Sequence, residues 1–177
     1  DASLRCWGYG ANGRLGYGNT TTLGDGPGEM GTALQPVSLG AGRTVTQVAA
    51  GRLHTCALLD NGTVKCWGQA NVGQLGLGNT VTRGDNAGEM GDALPVVDLG
   101  TGRTAIRIAT APAADHTCAL LDNLELRCWG ANSAGQLGVG NTLPRGDNAG
   151  EMGDALPAVA LGAGRQVLDV ALAASHA

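Results

Sequence analysis

The sequence has no phenylalanine, and aromatic residues make up only 3% of its 177 positions. In their place stand 31 glycines, a balance that suits short strands joined by tight turns rather than thick helical layers. Charge is also sparse: charged residues are 15% of the chain and the formal net charge is −4. No block of lysine or arginine could track a phosphate backbone, so nucleic acid is not expected as a direct partner. No run of eighteen apolar residues occurs, which excludes a membrane-spanning helix from the expectation. The first residues do not form a secretory leader, so the chain reads as soluble and as mature or cut from something longer.

What is present is repetition. His54-Thr55-Cys56-Ala57-Leu58-Leu59-Asp60-Asn61-Gly62-Thr63-Val64-Lys65-Cys66-Trp67-Gly68 returns as His116 to Gly130, and two broken halves of it stand at Asp1 to Gly8 and at Ser175-His176-Ala177. Trp7, Trp67 and Trp129 are spaced by 60 and 62, and so are Glu29, Glu89 and Glu151. His54, His116 and His176 are spaced by 62 and then 60, which places two extra residues of the middle copy in a loop near Ala111-Pro112-Ala113-Ala114. A period of this size fixes the architecture first: each unit buries its apolar flank only against neighbouring units. We divide the chain into repeats 1–62, 63–124 and 125–177, the last one truncated.

The cysteines follow the period. Cys56 and Cys118 come after His-Thr, whereas Cys6, Cys66 and Cys128 precede Trp-Gly. The segment between them reads as a hairpin. With Asp60-Asn61-Gly62 as a three-residue loop and Gly62 left-handed, Leu59 faces Thr63 and Cys56 lies opposite Cys66. Disulfides Cys56–Cys66 and Cys118–Cys128 are therefore expected, with Cys6 left unpaired because its partner position is absent. Cross-hairpin pairing of this kind favours an oxidising compartment, extracellular, cell-surface or periplasmic, over a reduced cytosol with free buried thiols.

Within a unit, Val45 to Ala50, His54 to Leu59 and Thr63 to Trp67 read as strands, and Leu34 to Leu39 reads as a short strand that Pro36 places at an edge or a start. Gly68 to Asp92 is a long loop. Four short strands and one loop make a propeller blade. The residues Trp67-Gly68 with Asn71, Gly73-Gln74-Leu75-Gly76-Leu77-Gly78, Val48-Ala49-Ala50-Gly51 and His54-Thr55-Cys56-Ala57-Leu58 make the chain resemble the regulator of chromosome condensation repeat family. That resemblance implies an all-β fold of four-stranded antiparallel blades, about three of them here, as part of a seven-bladed ring or of an assembly. The paired cysteines and the Gly-Asp-Asn-Ala-Gly-Glu-Met-Gly-Asp insert look most like secreted bacterial members.

Four sets of residues are candidates for a site. Asp85, Glu89 and Asp92 recur as Asp147, Glu151 and Asp154, and in part as Asp25 and Glu29, on glycine-rich chain that could gather oxygens around calcium. The competing reading has Glu89 pairing with an arginine such as Arg103 or holding loop amides. His54, His116 and His176 lack a repeated serine nucleophile, so they are expected to bond loop backbone, and Trp7, Trp67 and Trp129 to pack between units. In the middle copy Thr110, Pro112 and Asp115 mark a divergent loop where binding specificity could reside.

No enzymatic activity and no cofactor beyond possible calcium are expected. The expected function is a secreted or surface module that binds a protein or extracellular polymer, or assembles with itself through open strand edges. The alternatives implied by the resemblance are guanine-nucleotide exchange on a small GTPase and inhibition of a secreted hydrolase.

Overall fold

A computed structural model describes residues 3–177. They form two three-stranded antiparallel sheets. The first contains β1 (Val45–Ala50), β2 (His54–Leu59) and β3 (Val64–Gly68), and the second contains β4 (Ala105–Ala109), β5 (His116–Leu121) and β6 (Leu126–Gly130), each in the order of the chain. The central strands are buried along their whole length, which explains why their sequences show no alternation of polar and apolar residues.

The hairpin between β2 and β3 closes as its sequence demands. The Thr63 carbonyl accepts the Leu59 N–H at 2.9 Å, and Gly62 adopts φ 77°, a left-handed conformation that glycine enters without steric cost. Cys56 then stands opposite Cys66, and Cys118 opposite Cys128, and both pairs are disulfides with 4.1 Å between their Cα atoms. Cys6 is the free cysteine, and burial pushes its thiol up to about 11.

The fourth member of each unit is an extended rim segment rather than a full ladder strand. It is tied to the third strand by one backbone bond: Val97 N–H to the Val64 carbonyl, Val159 to Leu126 and Val37 to Leu4, each 2.8 Å. Pro95, Pro157 and Pro36 lie beside these bonds and have no N–H to extend them. The hydrogen-bonded units accordingly run from 45 to 99 and from 105 to 161, and residues 62 and 124 fall in the hairpin turns. Residues 3–8 take the place of β3 before the first sheet, with Gly8 bridging Leu23 as Gly68 bridges Arg83.

The units pack flank to flank. Leu58, Val64, Leu75 and Val97 of the first unit share one apolar cluster with Ala105, Ile108, Leu121 and Trp129 of the second. A second cluster joins Ala57, Leu59, Trp67 and Leu94 to Val37, Leu39 and Tyr17 of the preceding unit. At these two junctions the flank of one wedge is thus covered by its neighbour, as a propeller requires. Among the described residues no helix is long and apolar enough to cross a membrane.

Candidate functional site

The repeated polar residues are engaged mostly in joining one unit to the next. Trp67 is fully buried, and its indole N–H donates to the Arg14 carbonyl at 3.0 Å, which also accepts the Thr55 hydroxyl at 3.0 Å. One unit later Trp129 and Thr117 donate to the Gln74 carbonyl at 3.1 and 3.4 Å. A single carbonyl on the glycine-rich loop of one unit thus receives two donors from the next. Gly16 and Gly76 permit this approach, since a Cβ at either would lie 2.7 or 2.8 Å from the indole nitrogen. Trp7 is 62% exposed, and the described residues include no loop of a preceding unit that could lie over it.

The histidines also differ from expectation. His54 is buried, and its Nε2 meets the Thr117 hydroxyl of the next unit at 2.8 Å rather than loop backbone. Burial holds its pKa down at about 4, with Asp115 opposing that shift and His116 adding to it. His116 is buried with neither ring nitrogen hydrogen-bonded, because the position matching Thr117 is Ala177, which has no hydroxyl. His176 lies in the exposed final residues.

In the acidic inserts, glutamate caps its own loop. Glu89 Oε2 accepts the N–H groups of Gly84 and Asn86, both at 3.0 Å, and Glu151 Oε2 accepts those of Gly146 and Asn148 at the same distance. Glu29 does likewise with Gly24 and Gly26 at 2.7 and 2.9 Å, and these two amides hold its carboxyl below the usual range. Burial and the adjacent Glu89 carboxylate push Asp85 up, and Asp147 is raised the same way beside Glu151. The expected partner Arg103 pairs instead with Asp122 at 3.4 Å, while Arg83 approaches Glu89 at 3.9 Å.

The three carboxylates of an insert do not converge. Asp92 Oδ1 accepts the N–H of Ala41, and Asp154 accepts the N–H and hydroxyl of Thr101 at 2.9 and 2.6 Å, on the neighbouring rim turn. Lys65 and Arg127 complete this clasp by donating to the carbonyls of Gly91 and Gly153. Among the described residues no three His, Cys, Asp or Glu side chains are grouped to hold a metal ion. The recurrence of a cation at Arg5, Lys65 and Arg127 was the sequence signal for the clasp, and sequence reasoning missed it.

The divergent loop is stapled down. Thr110 donates its hydroxyl to the His116 carbonyl at 2.8 Å, Asp115 pairs with Arg52, and the Ala114 carbonyl accepts the Arg52 N–H at 3.0 Å. Pro112 and Ala113 alone stay exposed at its tip. The same end of the sheets carries a row of loop tips that the sequence did not reveal. Asn19, Asn79 and Asn141 each accept, through Oδ1, the N–H two residues ahead, at 2.9 to 3.0 Å. These turns present Thr21, Val81 and Leu143 outward, with Val81 50% and Leu143 61% exposed. Backbone bonds from Gln69 to Leu53 and from Ala131 to Asp115 bring the two kinds of loop to one end of the units.

Comparison with known proteins accounts for this construction. Models of the regulator of chromosome condensation repeat match residues 3–58, 45–74 and 114–136. The chain belongs to that family. It is 34% identical over 140 residues to the ultraviolet-B receptor UVR8 of Arabidopsis thaliana, covering 78% of this chain and 28% of that protein. It is 30% identical over 138 residues to the human E3 ubiquitin-protein ligase HERC2, covering 77% and 3%. Human WBSCR16, a solved structure, superposes with a TM-score of 0.50 at 25% identity, covering 75% of this chain and 32% of its own. The chain spans less than a third of the length of each of these relatives. Its fold is therefore a segment of a propeller of this family.

Proposed function

We propose that this chain is part of a non-catalytic propeller module, secreted or displayed on a cell surface, which binds a partner protein through the loop tips at one end of its units. The observation that carries the reading is the row Thr21, Val81 and Leu143. One residue per unit, in the same asparagine-closed turn, varies in side chain while its scaffold stays constant, and two of the three expose apolar surface. Invariant turns with variable tips are how a repeat scaffold builds a recognition surface, and exposed aliphatic groups on rigid backbone can anchor a protein interface at low entropic cost. The cross-hairpin disulfides support an oxidising compartment over the cytosolic exchange-factor reading.

The test places a photo-crosslinking side chain at position 81, 143 or 96 in cells that produce the protein. Val96 is exposed on the outer rim and serves as the control. The expected result is one and the same protein adduct from positions 81 and 143, absent from position 96 and abolished by Val81→Asp. Adducts equal at all three positions, or none at 81 and 143, would refute the loop-tip surface.

A further inference from the structure

Asparagine followed two residues later by threonine occurs at two places in the chain, Asn19-Thr20-Thr21 and Asn61-Gly62-Thr63. This pattern is the acceptor sequence for N-linked glycans, and it serves only where the asparagine stands at the surface. The two places differ in what the asparagine amide is doing. Asn61 is exposed at the corner of the β2–β3 hairpin. Its Oδ1 accepts the Thr63 N–H at 3.2 Å and the Thr63 hydroxyl at 2.7 Å, and among the described residues its Nδ2 has no partner. The residues around it are committed elsewhere: Gly62 N–H donates to the Leu59 carbonyl at 2.9 Å, Asp60 N–H to the Thr44 carbonyl at 3.0 Å, and the Asp60 carboxylate pairs with Arg43 at 3.3 Å. Asn19 is also exposed and its Oδ1 accepts the Thr21 N–H at 2.9 Å, but its Nδ2 is turned to the Tyr17 carbonyl at 3.4 Å. The matching corner of the next unit has the turn without the chemistry. There Asn123 accepts the Glu125 N–H at 3.2 Å, and glutamate in place of threonine brings no hydroxyl.

We infer that Asn61 is an N-glycosylation site, taking an oligosaccharide from a polyprenyl diphosphate carrier. The inference rests on the reading of the chain as secreted or surface-displayed, where this modification belongs. Its place in the fold suits a bulky group. His54 stands opposite Gly68 at the end of the hairpin that carries the loop tips, and Leu58 stands opposite Val64 at the other end, beside Asn61. A glycan on Asn61 is therefore separated from the tips by the length of a strand, roughly 16 Å, and leaves Thr21, Val81 and Leu143 uncovered. One on Asn19, two residues before Thr21, would cover them.

In the transfer the Asn61 amide nitrogen attacks the anomeric carbon of the first sugar. The nitrogen–carbon bond forms as the bond from that carbon to the diphosphate oxygen breaks, and the carrier diphosphate leaves with the electron pair. The amide nitrogen gives up one proton to a base of the transferase, and nothing is oxidised or reduced. As the proton departs, negative charge spreads onto Oδ1, where the N–H and hydroxyl of Thr63 already point. Donors placed in advance where charge develops lower the barrier. Thr63 is thus a positioning residue, and Asn61 carries the reacting atom.

The experiment incubates the whole 177-residue chain, with both disulfides formed, with a purified oligosaccharyltransferase of Asn-x-Thr specificity and its polyprenyl diphosphate donor. Sites are mapped by peptide N-glycosidase release in heavy-oxygen water, which separates a released Asn61 from one deamidated beside Gly62. The expected result is one glycan at Asn61, with Asn19 modified about tenfold more slowly or less. Thr63→Ala should abolish the modification, Thr63→Ser should keep it, and Glu125→Thr should add a second glycan at Asn123. A bare Asn61 in the folded chain while a free peptide of residues 59–65 is modified, or an Asn19 modified as fast as Asn61, would overturn the proposal without any variant having to fold. Glycopeptide mapping of the chain from the cells that produce it completes the test. A chain recovered outside the cytosol with Asn61 bare would overturn this proposal and leave the secreted reading standing, whereas a cytosolic chain would overturn both.

Discussion

One residue of the middle hairpin departs from the rule that its counterpart obeys, and exchanging the two residues should move stability in opposite directions. Leu124 stands where Gly62 stands one unit earlier, with φ 65° against 77°. The turns are otherwise the same: Leu124 N–H donates to the Leu121 carbonyl as Gly62 does to Leu59, both at 2.9 Å, and Asn123 and Asn61 accept the N–H two residues ahead at 3.2 Å. A left-handed conformation costs a residue with a Cβ roughly 1–2 kcal/mol, and the extra backbone entropy that glycine loses on folding returns about 0.5–1 kcal/mol of that. Leu124→Gly should therefore stabilise the chain by about 0.5–1 kcal/mol. Gly62→Ala should destabilise it by more than the conformational cost of about 1–2 kcal/mol, because the new Cβ would lie 2.7 Å from Cβ of Thr104 in the next unit. The next unit closes tightly on this turn, with the Ala105 N–H donating to the Gly62 carbonyl at 2.8 Å. Urea unfolding followed by far-ultraviolet circular dichroism, compared at constant m-value, measures both changes. A destabilised Leu124→Gly, or a Gly62→Ala within about 0.3 kcal/mol of the parent, would refute the reasoning.

Other outcomes follow from the seam and the inserts. Trp67→Phe, which removes a buried indole and its bond to the Arg14 carbonyl, should cost about 1–3 kcal/mol, whereas Trp7→Phe at the exposed counterpart should stay within about 0.5 kcal/mol; thermal unfolding of the two variants checks the contrast. His54 should destabilise the fold in acid. Unfolded, its imidazole binds a proton near the ordinary 6.5, but folded only near 4, so the unfolded state holds more protons in that window and stability falls as pH drops from 6.5 to 4. The loss attributable to His54 amounts to about 3 kcal/mol across the window, and His54→Gln should flatten the slope of unfolding free energy against pH between those limits. Asp92 and Asp154 are committed to the rim turns, so millimolar calcium should shift the melting temperature by less than about 2 °C, and a larger rise would support the metal reading of the inserts instead.

The parts of this fold that were legible in the sequence are those decided by neighbours along the chain. Gly62 and the asparagine before it dictate the turn, the turn dictates the register, and the register brings Cys56 to Cys66 without any knowledge of the rest of the molecule. Pro36 likewise announced that the fourth segment would lie at an edge or a strand start, although not that it would keep only one ladder bond. Spacing alone could not say what Asp92 faces. It lies near Asp85 and Glu89 in sequence, but its partner is Ala41, 51 residues away, on a turn of the preceding unit. The same holds for His54, whose partner Thr117 is 63 residues away. Contacts of this kind obey the period of the repeat and not local geometry.

That distinction explains why function was harder to see than fold. A residue that recurs once per unit invites a catalytic or metal-binding reading, yet recurrence is what a seam between units requires: each seam must be built from the same parts, so indole, hydroxyl and carbonyl reappear at every junction. The residues free to specify a partner are those at positions where the scaffold repeats and the side chain does not. Thr21, Val81 and Leu143 meet that condition, as does Pro112 in the divergent loop, and none of them stands out in a search for repeated chemistry. In a propeller of this family, variation at a constant turn is the stronger mark of a recognition site, because the seam removes the freedom to vary everywhere else.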